Sequence, residues 1–316
     1  MRIFANPNYN FIKWRWHALI ASIVIIWAGV GTIFLRGGLP MGIDFTGGTV
    51  VVLQFQQATD ENVVRSALDV ISKDNVVQKY GPSAQNQIMV RVPLTGREQG
   101  ADLEEGARRV EQALRTAKVP AFTVIQKEIV GPTVGSDLQK KGIYATLTAL
   151  GGIMLYVAFR FRFSFAIGAI VAAFHDILIT LVFLAWFRYD MSLNVIAALL
   201  TITGYSVNDT IVVFDRVREN QRLMRREPLD QIVNKSVNQT LGRTIITSGV
   251  TFLAVFALYL FGGEVLRAFA FTMLVGVLTG TYSTVFIAAA IAIILSRRTP
   301  GQTQAPAKAQ ARRRQN

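Results

Sequence analysis

The 316-residue chain has no cysteine and only two histidines. No disulfide and no thiolate site can form. His17 and His175 lie far apart, with no ligand spacing of the kind zinc requires, so no metal is expected. No nucleophile–base pair stands out either. The chain therefore does not read as an enzyme, and no cofactor is implied. Charge is scarce over long stretches. What fills them is apolar: 51% of residues are hydrophobic and mean hydropathy is +0.37. That exceeds what an ordinary soluble domain carries.

Six segments are long and apolar enough to cross a bilayer, which takes ~17–25 residues each. They are His17–Leu35, Gly142–Phe159, Phe165–Phe187, Leu193–Phe214, Arg243–Phe261 and Val265–Leu295. Lys13 and Arg15 before the first run resemble a secretory signal. The run is too long for one and offers no convincing cleavage site, so it reads as an uncleaved first helix.

Net charge is +13, and its distribution is informative. Residues 36–141 carry thirteen basic and twelve acidic side chains. The remaining excess gathers in Arg2–Arg15, Arg160/Arg162, Arg216–Lys235 and Arg297–Arg314, which six spans place on one side. The positive-inside rule makes that side cytoplasmic. Both termini are then expected inside and 36–141 outside. The basic runs suit topology and contact with anionic membrane lipids. No aromatic residues interleave with the tail arginines, so no specific nucleic-acid partner is expected.

The expected parts are 1–35, a cytoplasmic N-terminus and first span; 36–141, an outside domain; 142–295, a five-helix bundle; and 296–316, a disordered basic tail. Within 36–141, Thr49–Phe55 reads as a strand. Thr59 caps a helix through Ser72, with Val63, Val64, Ala67, Leu68 and Ile71 on its apolar face. Val76–Tyr80 and Gln87–Val92 form a hairpin about Gly81-Pro82. Gln99–Ala117 is a helix with Leu103, Ala107, Val110 and Leu114 inward, and Phe122–Val130 closes the set. This β-α-β-β-α-β order predicts a ferredoxin-like α/β domain.

The most telling residue is Asp209, inside the fourth apolar run. A carboxylate there costs ~2.5–3.5 kcal/mol on insertion scales and usually handles ions or protons. Arg243 opens the fifth run as placed above. The two suggest either a coupled proton site or a structural ion pair that fixes packing. Thr201, Tyr205 and Asp209 recur at helical spacing as one stripe, flanked by Ser206 and Asn208; Arg243, Thr247 and Thr251 repeat the spacing in the fifth run. Thr272, Gly276, Thr279 and Ser283 share a face of the sixth, where Gly276 and Gly280 allow close approach. Asp176 lies near the centre of the third run, with Thr180 a turn on. Its neighbour His175 should point to a different face and not form a pair with it.

Several stretches together resemble the SecF family, the smaller membrane subunits of SecDF protein-export complexes. They are Met41–Thr49 (MGIDFTGGT, with Gly42, Asp44, Gly47 and Gly48 as signature), Phe174-His175-Asp176, Tyr205–Asn220 and Arg243–Gly249. The resemblance implies an α-helical polytopic protein of a bacterial cytoplasmic (inner) membrane, whose six transmembrane helices form half of an RND-type bundle carrying one extracytoplasmic ferredoxin-like domain. It implies a SecD-like subunit as partner, with the Sec translocon channel and an unfolded preprotein in transit. It implies use of the proton-motive force to promote export, with Asp209 and Arg243 matching the family's proton-path pair, and Asp176, Asn208, Tyr205 and Thr247 as supporting polar residues. The competing readings are an assembly subunit without proton conduction and a small-molecule exporter of the wider RND kind.

Overall fold

The structure is a computed structural model that describes residues 7–72, 75–81, 83–92, 103–117 and 119–298. The chain is a multi-pass membrane protein. Its six helical spans are the described segments long and apolar enough to cross a membrane. After a 3₁₀ turn at Phe11–Trp14, capped by the Asn10 side chain, α1 runs over Arg15–Leu35. A short α2 (Ile43–Thr46) leads into the α/β domain: β1 (Gly48–Phe55), α3 (Glu61–Leu68), β2 (Val76–Tyr80), β3 (Gln87–Val92), α4 (Leu103–Thr116) and β4 (Phe122–Val130). The remaining spans are α5 (Pro132–Arg160), α6 (Phe163–Phe187), α7 (Leu193–Leu223) and α8 (Leu229–Phe261), then α9 (Gly263–Ser283) joined by a π turn at Thr284–Ala288 to α10 (Ala289–Arg298).

The α/β domain has the ferredoxin-like arrangement. Its sheet order is β2-β3-β1-β4, with every neighbouring pair antiparallel. One sheet face carries Val51, Leu53, Phe55, Val77, Ile88 and Val90, and α3 and α4 cover it with Val64, Leu68, Ala107, Val110 and Leu114. Alternation along β1 puts every second side chain into this core. Three local readings need correction. Asp60, not Thr59, caps α3, its carboxylate accepting from Asn62 N at 3.0 Å, while the Thr59 hydroxyl donates to Gln57 O. The helix ends at Leu68, four residues short of Ser72. Val63 is 49% exposed, because a helix this short has room for only one inward stripe. Pro82, residues 99–102, the Leu103 side chain and the tail from 299 onward lie outside the described residues.

Hydropathy located the spans but not their helical limits. α5 starts at Pro132, ten residues before Gly142, with proline in the first turn where its missing N–H costs nothing. α7 continues past Phe214 to Leu223, and α8 begins at Leu229 instead of Arg243. These extensions form a helical hairpin too polar for a hydropathy window yet still helical. Arg243 is consequently fourteen residues into α8. The interior of the bundle is built on α6, α7 and the last span, through Ala169, Ala173, Phe214, Val217, Ala288 and Ala292. α1 buries only Ser22 and Gly29.

Candidate functional site

Asp209 sits on the inner side of α7 with 8% exposure. Thr244 of α8 donates its hydroxyl to Asp209 Oδ1 at 2.8 Å. Asp209 Oδ2 is buried and has no hydrogen-bond partner in the structure. The expected ion pair with Arg243 does not form: among the described residues Asp209 has no ion pair, and Arg243 is exposed. The reason is rotational. Successive helix positions lie about 100° apart, so the register that aims Thr244 at Asp209 turns Arg243 outward.

The rest of the expected stripe divides. Tyr205 reaches Ser248 Oγ at 3.2 Å, and Thr281 donates to the same oxygen at 2.8 Å, joining α7, α8 and α9. Thr201, Asn208 and Thr247 are exposed, which corrects their placement beside the acid. Thr201 and Thr247 bond the preceding turns of their own helices. So do Thr272 and Thr279, although both are buried. Such back-bonding is the ordinary use of hydroxyls within helices.

Asp176 forms a second, better-satisfied centre. It is wholly buried on α6. Ser206 of α7 donates to its Oδ2 at 2.5 Å and Ser283 of α9 at 2.7 Å. His175 Nδ1 lies 3.0 Å from Asp176 Oδ1, so the two neighbours do meet, against expectation. A short carboxylate and a longer ring can lean together where their backbones diverge. His175 Nε2 is buried and has no hydrogen-bond partner among the described residues. Ser206 is three residues before Asp209, so the α7 hydroxyl that bonds Asp176 of α6 and the Asp209 carboxylate lie about one turn apart on α7. Glycine makes this closeness possible. A Cβ on Gly276 would stand 2.2 Å from Ile202 Cδ1, and one on Gly280 3.0 Å from Ser206 Cβ. Thr210 and Thr284 meet at 2.9 Å where the π turn begins.

The glycine-rich segment after α1 fixes the α/β domain to the bundle. Gly42 N donates to Met191 O at 2.7 Å, and Met191 N donates to Pro40 O at 2.7 Å. A Cβ on Gly42 would lie 2.7 Å from Met191 O, so the backbones approach too closely for any other residue. Asp44 Oδ2 accepts from Leu193 N at 2.8 Å and thus satisfies an otherwise orphaned donor at the α7 N-terminus. Gly47 and Gly48 take positive φ of 69° and 136°, open to glycine without strain. Sequence reasoning missed the clamp beside this loop. Arg91 on β3 pairs with Asp190 in the α6–α7 connection and donates to Met41 O at 3.0 Å. Burial pushes the Asp190 carboxyl above its usual range, and the adjacent Arg91 charge only partly offsets this. An arginine within a strand and an aspartate a hundred residues away carry no local signal of their pairing.

Known proteins share this architecture. The profile described as protein export membrane protein SecD/SecF, C-terminal, matches residues 109–298, and that of the SecD/SecF GG motif matches 33–59. The protein translocase subunit SecF of Rhodothermus marinus is 41% identical over 94% of this chain and 96% of its own length. That of Koribacter versatilis is 37% identical over 92% of each. The crystal structure of SecDF, a translocon-associated membrane protein from Thermus thermophilus, superposes with a TM-score of 0.82 at 35% identity over 93% of this chain. The chain spans 39% of the length of that SecDF chain. With two profile matches, relatives aligned almost end to end and a shared backbone, the chain belongs to the SecD/SecF family of protein export membrane proteins.

Proposed function

We propose that this chain is a subunit of a Sec-translocon accessory complex that uses the proton-motive force to promote preprotein export, with Asp209 as the proton carrier. The observation that carries the reading is the state of Asp209. It is buried, held by one hydroxyl, and among the described residues has one oxygen without a partner and no ion pair. A carboxylate that only fixed packing would be fully satisfied, as Asp176 is. In this reading Arg243 is not a bonded partner of Asp209, since among the described residues no ion pair joins them. In this reading residues 36–141 face the outside and the basic loops face the cytoplasm.

A SecD-like subunit completes the site. Asn194, Ala197, Thr201, Gly204 and Asn208 form one exposed stripe along α7. Small and polar side chains suit contact between membrane helices and not hydrocarbon. The 39% coverage of the single-chain SecDF supports a missing half. The test is preprotein import into inverted vesicles carrying the reconstituted complex, with and without a proton gradient. Asp209→Asn is expected to insert and assemble normally while losing the gradient-dependent stimulation. Undiminished stimulation by the variant would refute the role assigned to Asp209.

A further inference from the structure

A cleft of about 1280 Å³ opens on the basic side of the molecule, between the segment leading into α1 and the α7–α8 hairpin. The segment is strapped across the hairpin: Asn238 accepts from Tyr9 N at 2.8 Å, and Asn234 and Asn238 both donate to Tyr9 O. Four cations line the cleft, Lys13, Arg15, Arg216 and Lys235, against one acid, Asp230. Arg15 pairs with Asp230 and Arg216 with Glu219. Lys13 and Lys235 have no ion pair among the described residues. Arg15 Nε is buried and has no hydrogen-bond partner among the described residues. The cleft thus holds an excess of positive charge and N–H donors, a combination that favours a phosphate-bearing anion.

Its position says which kind. Trp16 lies at the cleft and begins an exposed apolar stripe along α1, with Ile20, Ile23 and Trp27 at helical spacing. These four are 54%, 60%, 53% and 70% exposed. A soluble anion would use the charges but not the stripe. A phospholipid would use both, its headgroup in the cleft and an acyl chain along α1. Tryptophan at that level is the usual residue of a membrane interface. We propose that this cleft is a binding site for an anionic phospholipid, held through its phosphate by Lys13, Lys235 and Arg15. The proposal does not depend on proton coupling at Asp209.

The experiment uses the full chain in mild detergent and native mass spectrometry. Dioleoyl-phosphatidylglycerol is titrated against dioleoyl-phosphatidylcholine, with inorganic phosphate as competitor. Wild type is expected to retain one phosphatidylglycerol in preference to phosphatidylcholine. The double variant K13Q/K235Q should lose affinity on the order of thirtyfold, since each basic side chain near the surface contributes comparably. Both lysines are exposed and outside the core, so folding should be unaffected. R222Q/R225Q, which removes equal charge from the hairpin outside the cleft, should bind as wild type does. Equal affinity for the two lipids, or equal loss in both double variants, would overturn the site. Displacement by millimolar phosphate, with no advantage from the acyl chains, would assign the cleft to a free anion and overturn the lipid.

Discussion

Asp176→Ala tests the buried point of the bundle where three side chains meet one carboxylate. The carboxylate accepts from Ser206 of α7, Ser283 of α9 and the ring of His175. Values for bonds to charged groups in soluble proteins, ~1.5–3 kcal/mol each, would predict a loss above 4 kcal/mol. Hydrogen bonds between membrane helices are weaker, averaging ~0.6 kcal/mol with a maximum near 1.7. The smaller figure should prevail, because the stranded hydroxyls have somewhere to go. Ser283 already shares its proton with Gly280 O, and Ser206 can turn to the carbonyl one turn back. Three such bonds give a loss of about 2 kcal/mol. Asp176→Asn keeps an acceptor for the serines and should lose about half of that. The assay is equilibrium unfolding of the full chain in mixed micelles. Its control is a double-mutant cycle: Ser206→Ala with Ser283→Ala should destabilise wild type but add little on an Asp176→Ala background. Equal cost on both backgrounds would show that the carboxylate does not hold the serines, and the argument would fail.

Two further predictions concern packing and pH. Gly276→Ala forces a methyl against Ile202 and should destabilise by ~1–3 kcal/mol in the same assay; Ile202→Ala should restore it, whereas Ile202→Val should not, because the Cγ atoms at 2.5 and 2.6 Å remain. Recovery with valine would refute the contact. Asp190 is raised by burial, so the folded chain holds its proton more tightly than the unfolded chain does. Its contribution to stability is therefore complete below the ordinary value of 3.8 and is lost as pH rises through the raised one. Thermal unfolding against pH should show this decline in wild type and a flatter profile in Asp190→Asn; identical slopes would count against it.

The sequence by itself determined the six spans and the ferredoxin-like strand order, because both rest on local periodicity. β2, β3 and β4 lie where alternation and turn residues place them. Asp209 and Asp176 were legible as intramembrane acids for a related reason: a carboxylate among apolar residues is conspicuous in any register. Helix ends were less legible, since the α7–α8 hairpin is held by packing of Val217 with Val233 and Val237 and by Asn220 donating to Ser236, not by continuous apolarity. Only the tertiary structure decided which side chains meet. The rotation of α8 chose Thr244 over Arg243 as the partner of Asp209. The closeness of α7 and α9 at Gly276 and Gly280 brought Ser206 and Ser283 to one oxygen of Asp176. The docking of β3 on the α6–α7 connection joined Arg91 to Asp190. Each of these depends on how one element rotates and docks against another, and that is set by the summed packing of many residues far apart in the chain.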